Sequence, residues 1–291
     1  MPEHVLVPID GSDHAFAGLE YSLGSFPDAT IDVLYVVDPS HDHVASVGSR
    51  ESVEARAEQR GERVLDRAVE YAEERDRQIG SFLREGAPHT EILESTSTDV
   101  DHVVIGSHGE SPLRRPFLGH VSEAVVRRAP VTTTVVPEPV EAIRERELPG
   151  SVLVPLDGSE QAEAALEFAL ETFPDGDVTA FHALSLPFDR DRTGVRGTYL
   201  EEIVRVRNDR ADAVFEDARE IADDHGADVR TDTDDADPAT AIVERVETDD
   251  YDQIVMGSHG RSLAARLITG TVAERVARRS PRAVTLVRGA N

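Results

Sequence analysis

The chain has 291 residues with 30 basic and 57 acidic side chains, a formal net charge of −27, and every one of the 30 cations is an arginine. With no lysine, cysteine or tryptophan, Schiff-base catalysis, a P-loop lysine, thiol nucleophiles, disulfides and cysteine-ligated metals are excluded. A field this negative also repels nucleic-acid backbones and anionic membranes, so any anionic ligand must be held by local donors.

Met1-Pro2-Glu3-His4 leads directly into the apolar run Val5–Ile9 without a basic region. No targeting segment is therefore expected, no apolar stretch approaches the ~18–20 residues needed to span a bilayer, and the expected location is the cytoplasm. Val5–Ile9 predicts a first strand, and Ser12 is placed to cap a helix over Ser12–Ser25. Further strands are predicted at Ile31–Val37, Ile79–Leu83, His102–Ile105 and Val131–Val136, with helices at Ser52–Gln78, Thr90–Ser95 and Val121–Arg128. In the longest helix Glu62, Asp66, Glu70 and Glu74 share one face, where like charges cost roughly 0.2–0.5 kcal/mol per pair at low salt. Val64, Leu65, Ala68, Tyr71 and Ala72 form the opposite, buried stripe. His41-x-His43 has no full metal-ligand set and is read as a solvated loop.

After Val136 the stretch from Pro137 to Gly150 is charged and bounded by prolines, which is linker chemistry. Beyond it the sequence repeats. Val7-Pro8-Ile9-Asp10-Gly11-Ser12 returns as Val154-Pro155-Leu156-Asp157-Gly158-Ser159, and Asp101–Val136 aligns without gaps on Asp252–Val287. The offset grows from Asp10/Asp157 to Gly106/Gly257 by four residues, most of them assigned to Pro187–Gly194 after the second strand. Strands of the second copy are predicted at Val152–Leu156, Val178–Leu184, Asp228–Asp232, Gln253–Met256 and Ala283–Val287. The acidic run Asp232–Asp237 lacks the glycine and terminal glutamate of a calcium loop and is read as solvated.

Apolar runs alternating with amphipathic stretches predict two tandem doubly wound α/β domains, each a five-stranded parallel sheet with helices on both faces. They occupy residues 1–138 and 151–291, with 139–150 between them. The chemistry concentrates in Gly257-x-x-Gly260 followed by Gly270-Thr271, after a buried strand and before a helix. Glycines there permit a sharp turn and close backbone approach, and the helix start presents free N–H groups to an anion. His108 and His259 lie inside these loops, but spacing pairs them with no second titratable group, so no catalytic residue is assigned. Arg114, Arg115, Arg261 and Arg266 lie between the motif glycines, where both phosphate contact and surface salt pairing are open.

Ile254-Val255-Met256-Gly257-Ser258-His259-Gly260 with Gly270-Thr271-Val272, together with a strand ending at Asp157, resembles the ATP-binding signature of the universal stress protein family. The resemblance covers both copies. It implies strand order 3-2-1-4-5, dimerisation and binding of ATP or AMP, with Mg²⁺ accompanying the nucleotide. Pro155, Asp157 and Ala183 would lie beside adenine and ribose, Met256 and Gly257 would flank them, and Gly260, Gly270, Thr271 and Val272 would cradle phosphates. In the first copy the resemblance points to Pro8, Asp10, Val36, Ile105, Gly106, Gly109, Gly119, Val121 and Ser122, but His120 stands at the hydroxyl position. Two unequal sites follow, the second the tighter.

The function implied is nucleotide-dependent stress response or signalling rather than efficient turnover. A protective module with vestigial loops and a slow ATPase are the alternatives. The two copies would form an intramolecular pseudo-dimer, with a further homodimer left open. The lysine-free acidic composition resembles the cytoplasmic proteins of salt-accumulating halophiles. Stability and nucleotide affinity are accordingly expected to rise with KCl as screening shortens the Debye length to roughly 3 Å at 1 M.

Overall fold

The short apolar runs become strands of one continuous sheet, its inner strands buried on both faces and its two edge strands partly or largely uncovered. The computed structural model describes residues 1–38, 50–97, 99–109, 118–184, 198–259 and 270–289. The first half runs β1 (His4–Pro8), α1 (Asp13–Ser25), β2 (Thr30–Val37), α2 (Arg50–Glu73), β3 (Gly80–Glu85), α3 (Pro88–Ser95), β4 (His102–Gly106), α4 (His120–Arg128) and β5 (Thr132–Val136). A short helix α5 (Val140–Arg144) precedes the second half. That half runs β6 (Ser151–Pro155), α6 (Glu160–Thr172), β7 (Asp177–Ala183), α7 (Thr198–Asp224), β8 (Arg230–Asp234), α8 (Pro238–Thr248), β9 (Gln253–Gly257), α9 (Thr271–Arg279) and β10 (Ala283–Val287).

The ten strands lie in the order β3-β2-β1-β4-β5-β10-β9-β6-β7-β8. Each half is parallel and has the expected 3-2-1-4-5 order, and the halves meet through the antiparallel pair β5–β10. One apolar layer joins α1, α2, α6 and α7 to the sheet, and the opposite layer joins α3, α4, α8 and α9. Strand pairing also locates the extra residues of the second copy. Leu34 faces Phe82, whereas its counterpart Phe181 faces Asp232, so three of the four additions fall between β7 and β8. The segment Pro187–Gly194 itself lies outside the described residues.

Two expectations are refined. The long helix of the first half ends at Glu73, short of Gln78. Asp76 adopts φ 56°, the Asp76 amide donates to Glu73 O, and the Arg77 amide donates to Ala72 O. This is a left-handed stop in the place where the second copy uses Gly226, φ 64°. The stretch between the copies is partly helical: Val140 and Ile143 are buried against α1. Its charges are structural as well, since Arg146 pairs with Glu138 at 2.9 Å and with Asp252 at 3.0 Å.

The seam between the halves is polar and approximately two-fold. Thr134 and Thr285 face each other across β5–β10 with hydroxyls 2.7 Å apart. From the first half, the Tyr21 hydroxyl crosses to donate to Gln253 at 2.6 Å. From the second, Phe168 crosses to stack on His102, 5.9 Å between centroids. His102 also bonds Thr134 at 2.8 Å. Burial pushes the His102 imidazole down to about 3 and the Tyr21 phenol up to about 12. Arg278 of α9 closes the outer side on Glu123 of α4 at 2.7 Å.

Candidate functional site

In a parallel doubly wound sheet, ligands sit beyond the carboxyl ends of the strands at the switch in strand order. In the second half that switch lies between β6 and β9, flanked by β7. A cavity of about 290 Å³ opens there. Pro155, Asp157, Ala183, Met256, Gly257, Gly270, Thr271 and Val272, expected at one site, all line it. Gly260, expected with them, lies outside the described residues, as do Arg114, Arg115, Arg261 and Arg266.

Local chemistry explains the placement. The Asp157 carboxylate accepts from the Ser159 amide at 3.0 Å, and the Ser159 hydroxyl accepts from the Ala162 amide to cap α6. Asp10 and Ser12 repeat both contacts in the first half. Each aspartate therefore holds the strand-to-helix turn. Gly257 answers to packing: a Cβ there would lie 2.7 Å from the Gln161 carbonyl oxygen, and one at Gly106 would lie 2.5 Å from that of His14. Gly270 precedes α9 in extended conformation, φ −63° and ψ 153°, with no side-chain cap on the helix. Its own amide donates to Ser258 O at 2.7 Å.

Walls that the glycine motif does not announce come from Phe181 and His182 of β7 and from Pro238 and Ile242 of α8. His182 Nδ1 donates to Leu156 O at 2.7 Å. The sequence announces α8 by Asp237-Pro238, a cap followed by proline at the first helical position, and by Ala239, Ile242 and Val246 at helical spacing. Asp237 accepts from the Thr240 amide at 3.3 Å and from Arg275 of α9 through both oxygens, at 2.9 and 3.2 Å. The Arg275 guanidinium holds the Asp237 carboxyl below its usual range. His259 accepts from Arg288 at 3.3 Å through Nε2, so its Nδ1 carries the proton shared with the Ser258 hydroxyl at 2.9 Å. Arg288 also donates to Val126 O of α4.

In the first half Pro8, Asp10, Val36, Ile105, Gly106, Gly109, Gly119, Val121 and Ser122 occupy the equivalent strand ends and helix start. A Cβ on Gly109 would lie 2.5 Å from Asp10 Oδ2, bringing loop and strand end together. Ser122 is buried and donates to Gly106 O at 2.7 Å, which commits its proton to the protein. His120 opens α4 in an exposed position. His108 bonds Ser107 at 2.8 Å and meets the His14 ring at 5.6 Å between centroids.

Among the described residues no helix is long and apolar enough to cross a membrane, and no group of three or more His, Cys, Asp or Glu gathers to hold a metal ion. A family model described as the universal stress protein family matches residues 1–137 and 150–288. A universal stress protein of Methanocaldococcus jannaschii is 30% identical over 139 residues, covering 46% of this chain and 82% of that protein. One from Methanothermobacter thermautotrophicus is 32% identical over 113 residues, 38% of this chain and 77% of that protein. Among solved structures, a universal stress protein from Archaeoglobus fulgidus resembles 99% of this chain with 97% of its own, at TM-score 0.68 and 24% identity, a likeness of fold. The paired matches fall on the two halves of the ten-stranded sheet, and the chain belongs to the universal stress protein family as a tandem of two such domains.

Proposed function

We propose that this tandem chain binds ATP or AMP, most tightly in the second domain, and reports occupancy through conformation or association in a stress response within the cytoplasm. The domains are 1–138 and 151–291, joined through 139–150. One observation carries the reading: the second-domain cavity gathers eight of the nine residues expected to hold a nucleotide. Its volume of about 290 Å³ is at the lower end of ligand pockets and suits a nucleoside. The phosphates then meet the uncapped start of α9, where backbone N–H groups and the Thr271 hydroxyl replace the missing lysine. Mg²⁺ would arrive with the phosphates rather than be held by a metal site of the chain. Catalysis is not needed for this role, and His259, engaged by Arg288, is poorly placed to act as a base.

The protective-module reading draws on Gly106 and Gly257, which packing against α1 and α6 requires whether or not a ligand binds. The two readings separate in one experiment. Protein purified in molar KCl is denatured and any released nucleotide is identified by chromatography. The same is done for Thr271→Asp, which places a carboxylate where phosphate is expected yet suits a helix start. Nucleotide in the wild type and a large loss in the variant are expected. No nucleotide in either, with a melting temperature indifferent to Mg-ATP, establishes the module reading instead.

A further inference from the structure

Eight of the eleven histidines precede residue 138, and four of them surround the first-domain site. His14 is on the first turn of α1, His89 on the first turn of α3, His108 follows β4, and His120 opens α4. The rings meet in two pairs, His14 with His108 at 5.6 Å and His89 with His120 at 5.7 Å between centroids. Gly119 brings the pairs together, since a Cβ on it would lie 3.6 Å from His108 Cα. The second domain has Gln161, Ala239, His259 and Thr271 at the equivalent positions. Its one retained imidazole accepts from Arg288, a bond that protonation would abolish. The first domain has Pro137 in place of that arginine.

We propose that the first-domain site is a proton-linked anion site, in which His14, His89, His108 and His120 receive the phosphates of the ligand as imidazolium groups. The second-domain site binds without that proton uptake. The proposal rests on the nucleotide reading for the identity of the ligand, not for its charge. In a chain without lysine, histidine is the side chain that gains positive charge between pH 5 and 8. A phosphate brought to the helix starts and these rings favours the charged imidazolium, so proton and anion enter together.

Several carboxylates on the surrounding elements already have partners in the protein. Glu91 of α3 pairs with Arg84 of β3 at 3.7 Å, and Glu123 of α4 pairs with Arg278 at 2.7 Å and Arg127 at 3.7 Å. Asp10 at the end of β1 accepts from the Ser12 amide at 3.0 Å. Among the described residues the surrounding elements also carry Asp13 of α1, Asp38 after β2, Glu85 of β3 and Glu94 of α3, while Glu110, Arg114 and Arg115 lie outside them.

The test is a titration of Mg-ATP into the full chain in molar KCl between about pH 8 and about pH 6, in two buffers of different ionisation heat. Thr271→Asp closes the second site to report on the first, and His120→Asp closes the first to report on the second. The terminal phosphate of ATP titrates in the same range, so the second site is the control. First-site affinity relative to the second should rise about tenfold toward the acid end, with net proton uptake. His89→Ala with His120→Thr, which installs the second domain's residues, should remove both effects. Binding to the first site without excess proton uptake, or uptake that survives this exchange, overturns the proposal. Failure of both sites to bind Mg-ATP defeats the nucleotide reading alone. Pyrophosphate is then the probe: proton uptake on its binding supports the histidine site, and its absence overturns it.

Discussion

At the second-domain site Arg275 holds both oxygens of Asp237, the cap of α8, and so fastens α8 to α9 across the cavity. At the same two positions the first domain has Ala87, which caps α3 without a side-chain bond, and Ala124. The contrast continues around the site. Thr271 faces His120 by position, and an arginine-engaged His259 corresponds to a His108 set against His14. Duplication supplied two copies of one scaffold, and the scaffold kept its strand order in both. The copies diverged where side chains tie helix starts together. One wall is fixed by the protein's own ion pair, and the other, on the proposed reading, depends on charge that a ligand and protons bring.

The comparison can be broken first at the seam, where the largest effect is expected. His102 occupies the position of Gln253 and is buried as a neutral imidazole, with its basicity pushed down to about 3. The unfolded chain takes up this proton below about pH 6.5 and the folded chain does not. Stability from this group is therefore complete above that value and falls toward pH 3. His102→Gln should lose about 2 kcal/mol less than the wild type between pH 7 and pH 5, measured by denaturant unfolding in molar KCl. Equal losses would show that the imidazole does not govern acid sensitivity.

A smaller effect is expected at the clamp. Asp237→Ala removes a helix cap and should cost about 1 kcal/mol of stability. The ion pair itself is half exposed and contributes little beyond that. Calorimetric titration should show nucleotide affinity falling severalfold at the second site alone. Equal weakening at both sites would mean that the clamp is not local. The smallest effect should come from the converse exchange, Ala87→Asp with Ala124→Arg. A gain of ~0.5 kcal/mol in stability is expected, along with a narrower gap between the two affinities. A wider gap would refute the view that the clamp prepares the site.

Much of this architecture is legible from residue order alone. Strands such as Val5-Leu6-Val7 and Val152-Leu153-Val154 are continuous apolar runs because both faces are covered, and the repeat fixes their equivalence. The stop of α2 is not legible, because Asp76 takes the left-handed conformation that glycine announces at Gly226. Helix α5 hides in a charged segment, and of its own five residues Val140 and Ile143 are the buried ones. At the site, the glycine motif marks β9 and α9. It is silent about Pro238 and Ile242, which reach the cavity only because α8 packs beside α9. It also overstates Gly257, whose missing side chain is dictated by the Gln161 carbonyl. The seam escapes sequence reading for a related reason: Thr134 and Thr285 become partners only through tertiary pairing.

That antiparallel junction also sets how the assembly behaves on dilution. Two separate chains that shared a sheet through such strands would part as their concentration fell below the dissociation constant. Here residues 137–150 span the junction, so each half meets the other at an effective concentration set by a short tether rather than by the cell's supply. The sheet should stay whole at concentrations where a dimer joined by the same strands has come apart. A change at the junction then acts on one molecule's internal equilibrium instead of on a population of partners.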